Sequence, residues 1–543
     1  MKNRYIIGLA LFLAIFVASC DQDLLDIKQK SALSLDDYYA TAGPKEAEGL
    51  IAAVYNRLFN NIYGISSTLF LDILSDDHHA GGASFSDMAN NYQEAHNMIA
   101  TSQTGNFRSM YNNCYQVIYW CNLILERIPE SDNATIKRVK AEADFIRALC
   151  MFELVRWFGT PPFVDHVLST DEYNMPNGDP AVIIPWCLER MQSAADALPA
   201  LSGIGQQEAY GARISKHGAL AYKGKVALWY GTRYNDAEIL GQAVEPLKTV
   251  VNSNLYGLVD DMFTISRKAA DFSKEYVFEH NSADNNGYSR NQSDLRQTWM
   301  NLRPENMAIP DDIYMLGWGW CAVSGEFGEF LEAHEGGIEK PRFKSTIHTY
   351  EQILAKEYTL SAVPPGISTG IAHNQGYFRY RNILFKEDLY TDITGWYQFS
   401  AANYHYMRYA EVLLMYAEAK FLVDNDADGT GLAALNQVRV RAELAPLASM
   451  TYQDIKDERR AELWGEHERF FDLVRWGDAA EALKDKGKTW YTFWGYKEGT
   501  TEWDIRTREG TGSGWDTRGK YKVFPFPYQQ LSANPNLVQN KYW

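Results

Sequence analysis

Apolar residues recur every three and four positions over much of this chain, which is the spacing of one buried face of an α-helix. In the segment AEADFIRALCMFELVRWFG, the side chains of Phe145, Leu149 and Phe152 fall on one such face, and Gly159 ends the pattern. Similar segments occupy residues of about 45–255 and 403–485. The sequence therefore predicts a mostly helical body of paired helices, although it shows no regular 34-residue repeat.

The pattern changes between about residues 256 and 402. Gly, Asn, Asp and aromatic residues become frequent there, and helical spacing becomes rare. A stretch of this length is unusual for a single loop, so we predict an irregular, loop-rich subdomain inserted into the helical body, with a strand at EYVFEH. Residues 520–543 contain three prolines and are predicted to lie extended over the body.

The N-terminus has the pattern of a secretion signal. Lys2 and Arg4 precede an apolar run from Ile6 to Val17. A retained membrane helix is the alternative, but about 20 apolar residues are needed to cross a bilayer. The letters VASC resemble a bacterial lipobox, which predicts a signal peptide over residues 1–19 and a lipid anchor on Cys20. Acidic residues directly after Cys20 resemble the export signal of lipoproteins that face the cell exterior.

The formal charge of -17 argues against a nucleic-acid partner, because phosphate binding needs a basic face. Cysteines within helical patterns are predicted to be buried thiols, and no disulfide framework is implied. The chain also contains 15 Trp and 34 Tyr, more than core filling requires, and such side chains favour half-buried or binding positions.

Four segments together resemble the SusD/RagB family of outer-membrane nutrient-binding lipoproteins. They are AEADFIRALCMFELVRWFGTPPFV, MRYAEVLLMYAEAKF followed by LNQVRVRA, DERRAELWGEHERFFDLVRWG, and FPFPYQQLSANPNLVQN. With the lipobox and the segment WGWCAVSGEFGEFLEAHEGGIEKPRF, the match covers nearly the whole chain after the signal. One difference is EKPR around Arg342, where the family usually has an acidic residue directly before Pro-Arg.

The resemblance implies a single domain over residues 20–543, with tetratricopeptide-like helical hairpins in a right-handed superhelical body. It also implies an anchor in the outer membrane, capture of saccharides, and a TonB-dependent (SusC-like) transporter as the partner. No catalysis and no cofactor are implied.

Aromatic side chains of the irregular region are the main ligand-binding candidates. Sugar rings have apolar C–H faces that stack on flat aromatic surfaces, and base stacking on such surfaces, at about 1–3 kcal/mol per contact, gives the order of magnitude. Trp318 and Trp320 are two positions apart and would face the same way in an extended segment, although either could instead fill the core. The aromatic candidates are Tyr288, Trp299, Tyr314, Trp318, Trp320 and Trp396.

Polar candidates complete the predicted site, since sugar hydroxyls need hydrogen-bonding partners. Arg290 and Asn291 lie within the irregular region. Asp77 and His78 lie in SDDHHAGG, after an early helix, and the resemblance places part of the ligand site on that loop. A metal site on this segment is the weaker interpretation, because adjacent residues rarely bind one ion.

The segment DNDADG is similar to the start of a calcium loop through Asp424, Asp426 and Asp428. The bidentate Glu that such a loop needs at its twelfth position is replaced by Leu435. An acidic connector between helices is therefore the simpler interpretation, with calcium as the alternative.

Three functions remain open from the sequence. The first is a non-catalytic surface glycan-binding lipoprotein that delivers oligosaccharide or polysaccharide to its transporter. The second is a lid protein for peptide uptake, and the third is a glycoside hydrolase, for which the sequence shows no local motif.

Overall fold

Helices form most of the protein, and short strands connect them to a loop-rich region. The computed structural model describes residues 35–204, 206–282, 296–314, 316–359, 365–389 and 400–543. The α-helices are α1 (Leu35–Ala40), α2 (Pro44–Arg57), α3 (Ile65–Leu74), α4 (Asn90–His96), α5 (Gly105–Arg127), α6 (Ala134–Phe158), α7 (Pro180–Ala197), α8 (Gln207–Tyr210), α9 (Lys216–Tyr234), α10 (Ala237–Gly241), α11 (Val244–Val251), α12 (Arg296–Met300), α13 (Gly325–Glu335), α14 (Pro341–Thr346), α15 (Tyr350–Leu354), α16 (Tyr409–Asp424), α17 (Thr430–Arg441), α18 (Tyr452–Glu462), α19 (Arg469–Trp476), α20 (Ala479–Ala482) and α21 (Tyr528–Ala533). The strands are β1 (His78–Gly81), β2 (Tyr276–His280), β3 (Trp320–Val323), β4 (Ile347–Thr349), β5 (Ile371–Ala372), β6 (Tyr377–Arg379), β7 (Tyr404–Arg408), β8 (Thr489–Tyr496) and β9 (Trp503–Glu509).

The first helical part is a series of packed pairs, in which α5 packs on α6, α6 on α7, α7 on α9, and α9 on α11. The central helix is α6, which is almost completely buried from Ala141 to its end. It begins where the Asn133 side chain accepts hydrogen bonds from the backbone of Thr135 and Ile136, and it ends at Gly159, whose φ is 73°. The end at Gly159 agrees with the sequence prediction, and the Asn133 cap satisfies free backbone N–H groups at the start.

The second helical part joins the first through α16, which contacts both α11 and α17. Strand β7 runs directly into α16 and pairs with β2, the strand predicted at EYVFEH. This tetratricopeptide-like arrangement confirms the predicted mostly helical fold.

A buried ionic network holds this second part together. The guanidinium of Arg342 contacts carboxylates of Glu335, Glu458 and Glu462, with nitrogen–oxygen distances of 2.7, 2.6 and 3.2 Å. Arg408 contacts Glu462 from another side at 3.0 Å. Burial opposes ionisation, but the surrounding guanidinium groups lower the pKa of Glu462. Lys340 precedes Pro341 and Arg342 in place of the acidic residue that was expected there. Arg342 nevertheless has three acidic partners, which come from other segments.

The loop-rich region has a small core of its own. Buried residues of this core come from the insertion and from strand β8, and they are Leu302, Met307, Ile313, Tyr350, Ile353, Phe378, Tyr380, Ile383, Phe385 and Phe493. Strands β5, β8 and β9 form one antiparallel sheet. A hairpin close to the C-terminus therefore completes the subdomain that begins near residue 256.

The C-terminal segment lies against the end of α6. The backbone N–H of Phe524 donates to the carbonyl of Trp157 at 2.6 Å, and the Asn540 side chain donates to the carbonyl of Phe158 at 2.8 Å. Its helix, α21, has only six residues. Within the described ranges, none of the helices combines the length and apolar character needed to cross a membrane.

Candidate functional site

Three tryptophans of the insertion meet in one cluster, which we call the tryptophan cluster: Trp299, Trp318 and Trp320. The rings of Trp299 and Trp318 stack with centroids 5.0 Å apart and an interplanar angle of 11°. Trp320 meets both rings edge-on, at 5.0 and 4.9 Å. Trp299 and Trp318 are half-buried, whereas Trp320 is 8% exposed. The stacked pair therefore presents aromatic surface, and the more deeply buried Trp320 packs against both of its rings.

Short secondary structure fixes these three rings. Trp299 lies in α12, and Trp320 begins β3, which pairs with β1 so that Gly81 faces Trp320. A methyl group at Gly81 would lie 2.2 Å from the carbonyl oxygen of Gly319, so only glycine permits this close approach. Asn301, directly after α12, accepts a backbone hydrogen bond from Gly319. The tryptophans are thus attached to a rigid framework rather than to a free loop.

A second aromatic surface lies on the β8–β9 hairpin, and we call it the hairpin surface: Phe85, Trp490, Trp494, Arg506 and Arg508. Phe85 and Trp490 stack at 5.1 Å with an angle of 15°. The guanidinium of Arg508 lies over both rings, at 3.8 Å from Phe85 and 4.7 Å from Trp490. Arg506 lies 4.7 Å from the ring of Trp494, which is 42% exposed.

Alternation along the hairpin explains why these side chains share a face. Trp490 and Trp494 are four positions apart in β8, and Arg508 pairs directly across from Trp490. The indole N–H of Trp490 donates to the side chain of Asn97 at 3.1 Å, which fixes the ring. This surface is not among the sequence predictions, although TWYTFWGY followed by KEGT has the alternation and the turn residues of a hairpin.

One loop joins the two aromatic surfaces. Residues 82–89 follow β1, and the loop contains Phe85 at the hairpin surface. Its first residue, Gly82, donates a backbone hydrogen bond to Gly319 at 2.8 Å. Tyr92, just beyond it, contacts Trp320 with ring centroids 5.7 Å apart. The tryptophan cluster and the hairpin surface therefore flank the same loop.

Asp77 and His78 do not belong to this surface, which corrects the sequence prediction. Each is only 1% exposed. Asp77 accepts a hydrogen bond from Arg460 at 2.8 Å, and the His78 ring stacks on Trp464 at 4.7 Å. Burial and the neighbouring Asp76 raise the pKa of Asp77 to about 6 against the effect of Arg460. Both side chains are occupied inside the protein, so they cannot reach a sugar.

Tyr314 is half-buried, and its backbone carbonyl accepts a hydrogen bond from Asn301 at 3.2 Å. This hydrogen bond connects Tyr314 to the residue that follows the helix of Trp299. A contact of Tyr314 with a sugar stays a prediction. The remaining predicted positions, Cys20, Tyr288, Arg290, Asn291 and Trp396, lie outside the described residues.

The three carboxylates of the predicted calcium loop have partners within the chain. Asp426 accepts backbone hydrogen bonds from Gly431 and Leu432 at 2.7 and 2.8 Å, and so caps the start of α17. Asp424 and Asp428 both contact Lys420, at 2.5 and 3.2 Å. This agrees with an acidic helix connector, and calcium binding here stays a prediction.

An open polar cleft of about 630 Å³ lies on another side of β8. Its lining includes Asp76, Glu326, Arg469, Trp476 and Tyr491. Arg469 binds Asp76 through two hydrogen bonds of 2.9 and 2.8 Å. Burial opposes it, but Arg469 and Arg460 lower the pKa of Asp76, whereas burial raises the pKa of Glu326. The cleft thus contains a carboxylate with a lowered pKa and one with a raised pKa among its acidic residues, which makes the hydrolase alternative testable.

The chain is similar to proteins of one family in sequence and in fold. A family model described as "SusD family" matches residues 274–543, and one described as "Starch-binding associating with outer membrane" matches residues 24–228. SusD-like protein P25 of Formosa agariphila is 23% identical over 99% of this chain and 98% of its own length.

Solved structures show the same relationship. A laminarin-binding SusD-like protein superposes with a TM-score of 0.71 and 27% identity, over 92% of this chain and 99% of that one. Surface glycan-binding protein A of Bacteroides thetaiotaomicron, solved with laminarihexaose, gives a TM-score of 0.67 at 19% identity over 92% and 99% of the two chains. With both family models matched in order along the sequence, this chain belongs to the SusD family.

Proposed function

We propose that this protein is a non-catalytic, lipid-anchored glycan-binding protein that captures oligosaccharide or polysaccharide at the outer face of the outer membrane. The stacked, half-buried pair of Trp299 and Trp318 is the observation that supports this most. Flat indole faces bind the apolar faces of sugar rings without distinguishing every hydroxyl. A binding protein that must accept repeated units of a polymer needs such a surface.

The hairpin surface extends the same site. Arg508 makes no ion pair among the described residues, so its guanidinium donors are available to oxygen atoms of a ligand. The rings of Phe85 and Trp490 pack against that guanidinium. Aromatic rings lie on both sides of the 82–89 loop, and the hairpin surface adds the polar donors of Arg508. This arrangement suits an extended chain of several sugar units.

We further propose that the bound glycan passes to a TonB-dependent transporter, over which this protein acts as a lid. Family membership and the predicted anchor on Cys20 support this role. Co-purification of the lipid-anchored chain with the transporter encoded beside it would test the partnership. Recovery of the chain alone from gently solubilised membranes would contradict it.

Calorimetry against a panel of neutral and acidic polysaccharides, with laminarin included, tests glycan binding. We expect dissociation constants in the micromolar to millimolar range, as single aromatic platforms give. Trp299→Ala and Trp318→Ala should each weaken binding by roughly tenfold, since each stacking contact contributes about 1–3 kcal/mol. Tyr173→Ala is the matched control, because Tyr173 is 63% exposed and lies far along the chain from both surfaces.

Two further measurements separate the alternatives. Binding of peptides but of no glycan would favour peptide uptake. Release of reducing ends from a bound glycan, abolished by Glu326→Gln, would favour a hydrolase, because a carboxyl with a raised pKa is the group that such an enzyme uses as its acid.

A further inference from the structure

Three side chains with metal-binding atoms meet next to the strand that contains Trp320, and a fourth, His467, contacts one of them. The ligand atoms of Asp72, His78 and Cys321 all lie within 4.8 Å of one another. His467 Nδ1 is 3.0 Å from the Oδ2 atom of Asp72. These residues come from α3, β1, β3 and the turn before α19. Asp72, His78 and Cys321 are at most 3% exposed.

The side chain of His78 has no hydrogen-bond partner in this cluster. Neither of its ring nitrogens bonds to any described residue, whereas Oδ2 of Asp72 faces His467 Nδ1 at 3.0 Å. A buried polar group without a partner destabilises the folded state. A cation bound to His78 would supply the missing partner of one ring nitrogen.

We propose that Asp72, His78, Cys321 and His467 form a structural zinc site. Thiolate, imidazole and carboxylate together are a ligand set that zinc uses, and four protein ligands are typical of its structural sites. Zinc–ligand bonds of about 2.0–2.3 Å place tetrahedral ligands roughly 3.3–3.8 Å apart. The ligand atoms of Asp72, His78 and Cys321, at most 4.8 Å apart, need to approach by up to about 1.5 Å, and His467, which faces Asp72, must turn toward the ion as well.

The charges of the cluster also suit a divalent cation. Zinc binding releases the Cys321 thiol proton to solvent, so the ion, one thiolate and the Asp72 carboxylate sum to zero charge. Arg379 is 4% exposed, makes no ion pair with a described carboxylate, and points its Nη2 at the Cys321 sulfur from 3.4 Å. A metal-bound thiolate gives this buried cation the negative partner that it lacks, as a hydrogen-bonded neighbour of a metal ligand.

The backbone is held in unusual conformations at two of the four positions. Cys321 has a φ of 58° and His467 a φ of 68°. Such left-handed conformations are unfavourable for residues other than glycine and persist where the surroundings require them. The zinc would join both helical parts to β3, and so fix Trp320, the neighbour of Cys321, beneath the stacked tryptophans.

Metal analysis of the full chain, expressed in zinc-supplemented medium and desalted, tests the site. We expect about one zinc per chain, and at least about a tenfold loss of bound zinc in Cys321→Ser and in His78→Gln. Cys187→Ser should retain the metal, because Cys187 is a buried thiol on α7 outside the cluster. Circular dichroism of each variant confirms that it is folded.

A second measurement keeps the test decisive if a variant fails to fold. The wild-type chain refolded with Co²⁺ should show the near-ultraviolet absorption of a cobalt–thiolate bond. Folded wild-type protein without bound zinc after growth and refolding with zinc would overturn the proposal. Zinc retained equally by Cys321→Ser and His78→Gln would also overturn it, since the metal would then bind elsewhere.

Discussion

The guanidinium of Arg508 lies over the ring of Phe85, 3.8 Å from its centre, although the two residues come from opposite ends of the chain. Stacking of this kind fixes the donor groups of an exposed arginine before any ligand arrives. The hairpin surface is therefore prearranged for a ligand with oxygen acceptors.

Replacement of Arg508 tests this surface. We expect Arg508→Ala to weaken glycan binding roughly three- to tenfold, because a net hydrogen bond contributes about 0.5–1.5 kcal/mol. The unfolding midpoint should stay unchanged, since the side chain is exposed. Calorimetry with the glycan found in the panel measures the first effect, and urea unfolding the second.

Arg518→Ala is the control for that variant. Arg518 is an exposed arginine that pairs with Asp516 at 2.6 Å, away from the hairpin surface. Equal weakening by both replacements would show that general charge, rather than the position of Arg508, matters for binding.

Replacement of Arg342 tests the buried ionic network. Arg342→Met should lower the free energy of unfolding by about 3–5 kcal/mol, because Glu335, Glu458 and Glu462 then lose a buried positive partner. Chemical denaturation measures the change. The exposed arginine variant Arg518→Met should cost under about 0.5 kcal/mol, and a similarly small effect for Arg342 would mean that the network does not stabilise the fold.

Two helical glycines predict opposite effects of the same substitution. A methyl group at Gly231 of α9 would lie 2.6 Å from the Cα atom of Leu240, so Gly231→Ala must separate α9 from α10. We expect a loss of about 1–3 kcal/mol in the free energy of unfolding.

Gly49 is the matched position, in the interior of α2, with no atom within 4 Å of an added methyl group. Gly49→Ala should stabilise the protein by about 0.5–1 kcal/mol through the higher helix propensity of alanine. Stabilisation by both substitutions would contradict the close approach of α9 and α10.

Buried histidines predict a loss of stability in acid. The rings of His96 and His373 are 4.5 Å apart and fully buried. Burial lowers the pKa of both, helped by His79 and Lys486, and for His373 also by Arg508. The unfolded chain, with histidine pKa values near 6.5, therefore binds more protons below that pH, and unfolding becomes easier as the pH falls.

Between pH 6.5 and 5.5, each such histidine should contribute about 1 kcal/mol to that loss. We expect the double variant His96→Gln/His373→Gln to show a shallower loss than the wild type in urea unfolding across this range. His166→Gln should instead make the loss steeper, because hydrogen bonds that the His166 ring donates to Asp165 and Glu172 raise the pKa of His166 and stabilise the fold in acid. Parallel pH curves for wild type and double variant would refute the assignment.

Several residues that the sequence predicts to bind ligand have a different position in the tertiary structure. SDDHHAGG has the polarity of an exposed loop, yet Asp77 and His78 are buried. Arg460 and Trp464, from a segment distant in sequence, pack against them. Local pattern cannot report a partner that lies hundreds of positions away. Trp318 and Trp320 illustrate the same limit, since one supplies surface and the other supports it.

By itself, the sequence determined the helices, the irregular insertion, the strand at EYVFEH and the extended C-terminal segment, because apolar spacing, proline and glycine act on the backbone within a few residues. Only the tertiary structure decided which aromatic rings meet and which polar groups are enclosed. Those contacts depend on the path of the whole chain, which brings Phe85 to Trp490 and His78 to Cys321. The site is therefore a property of packing between distant segments, whereas the elements that hold it follow from local physical chemistry.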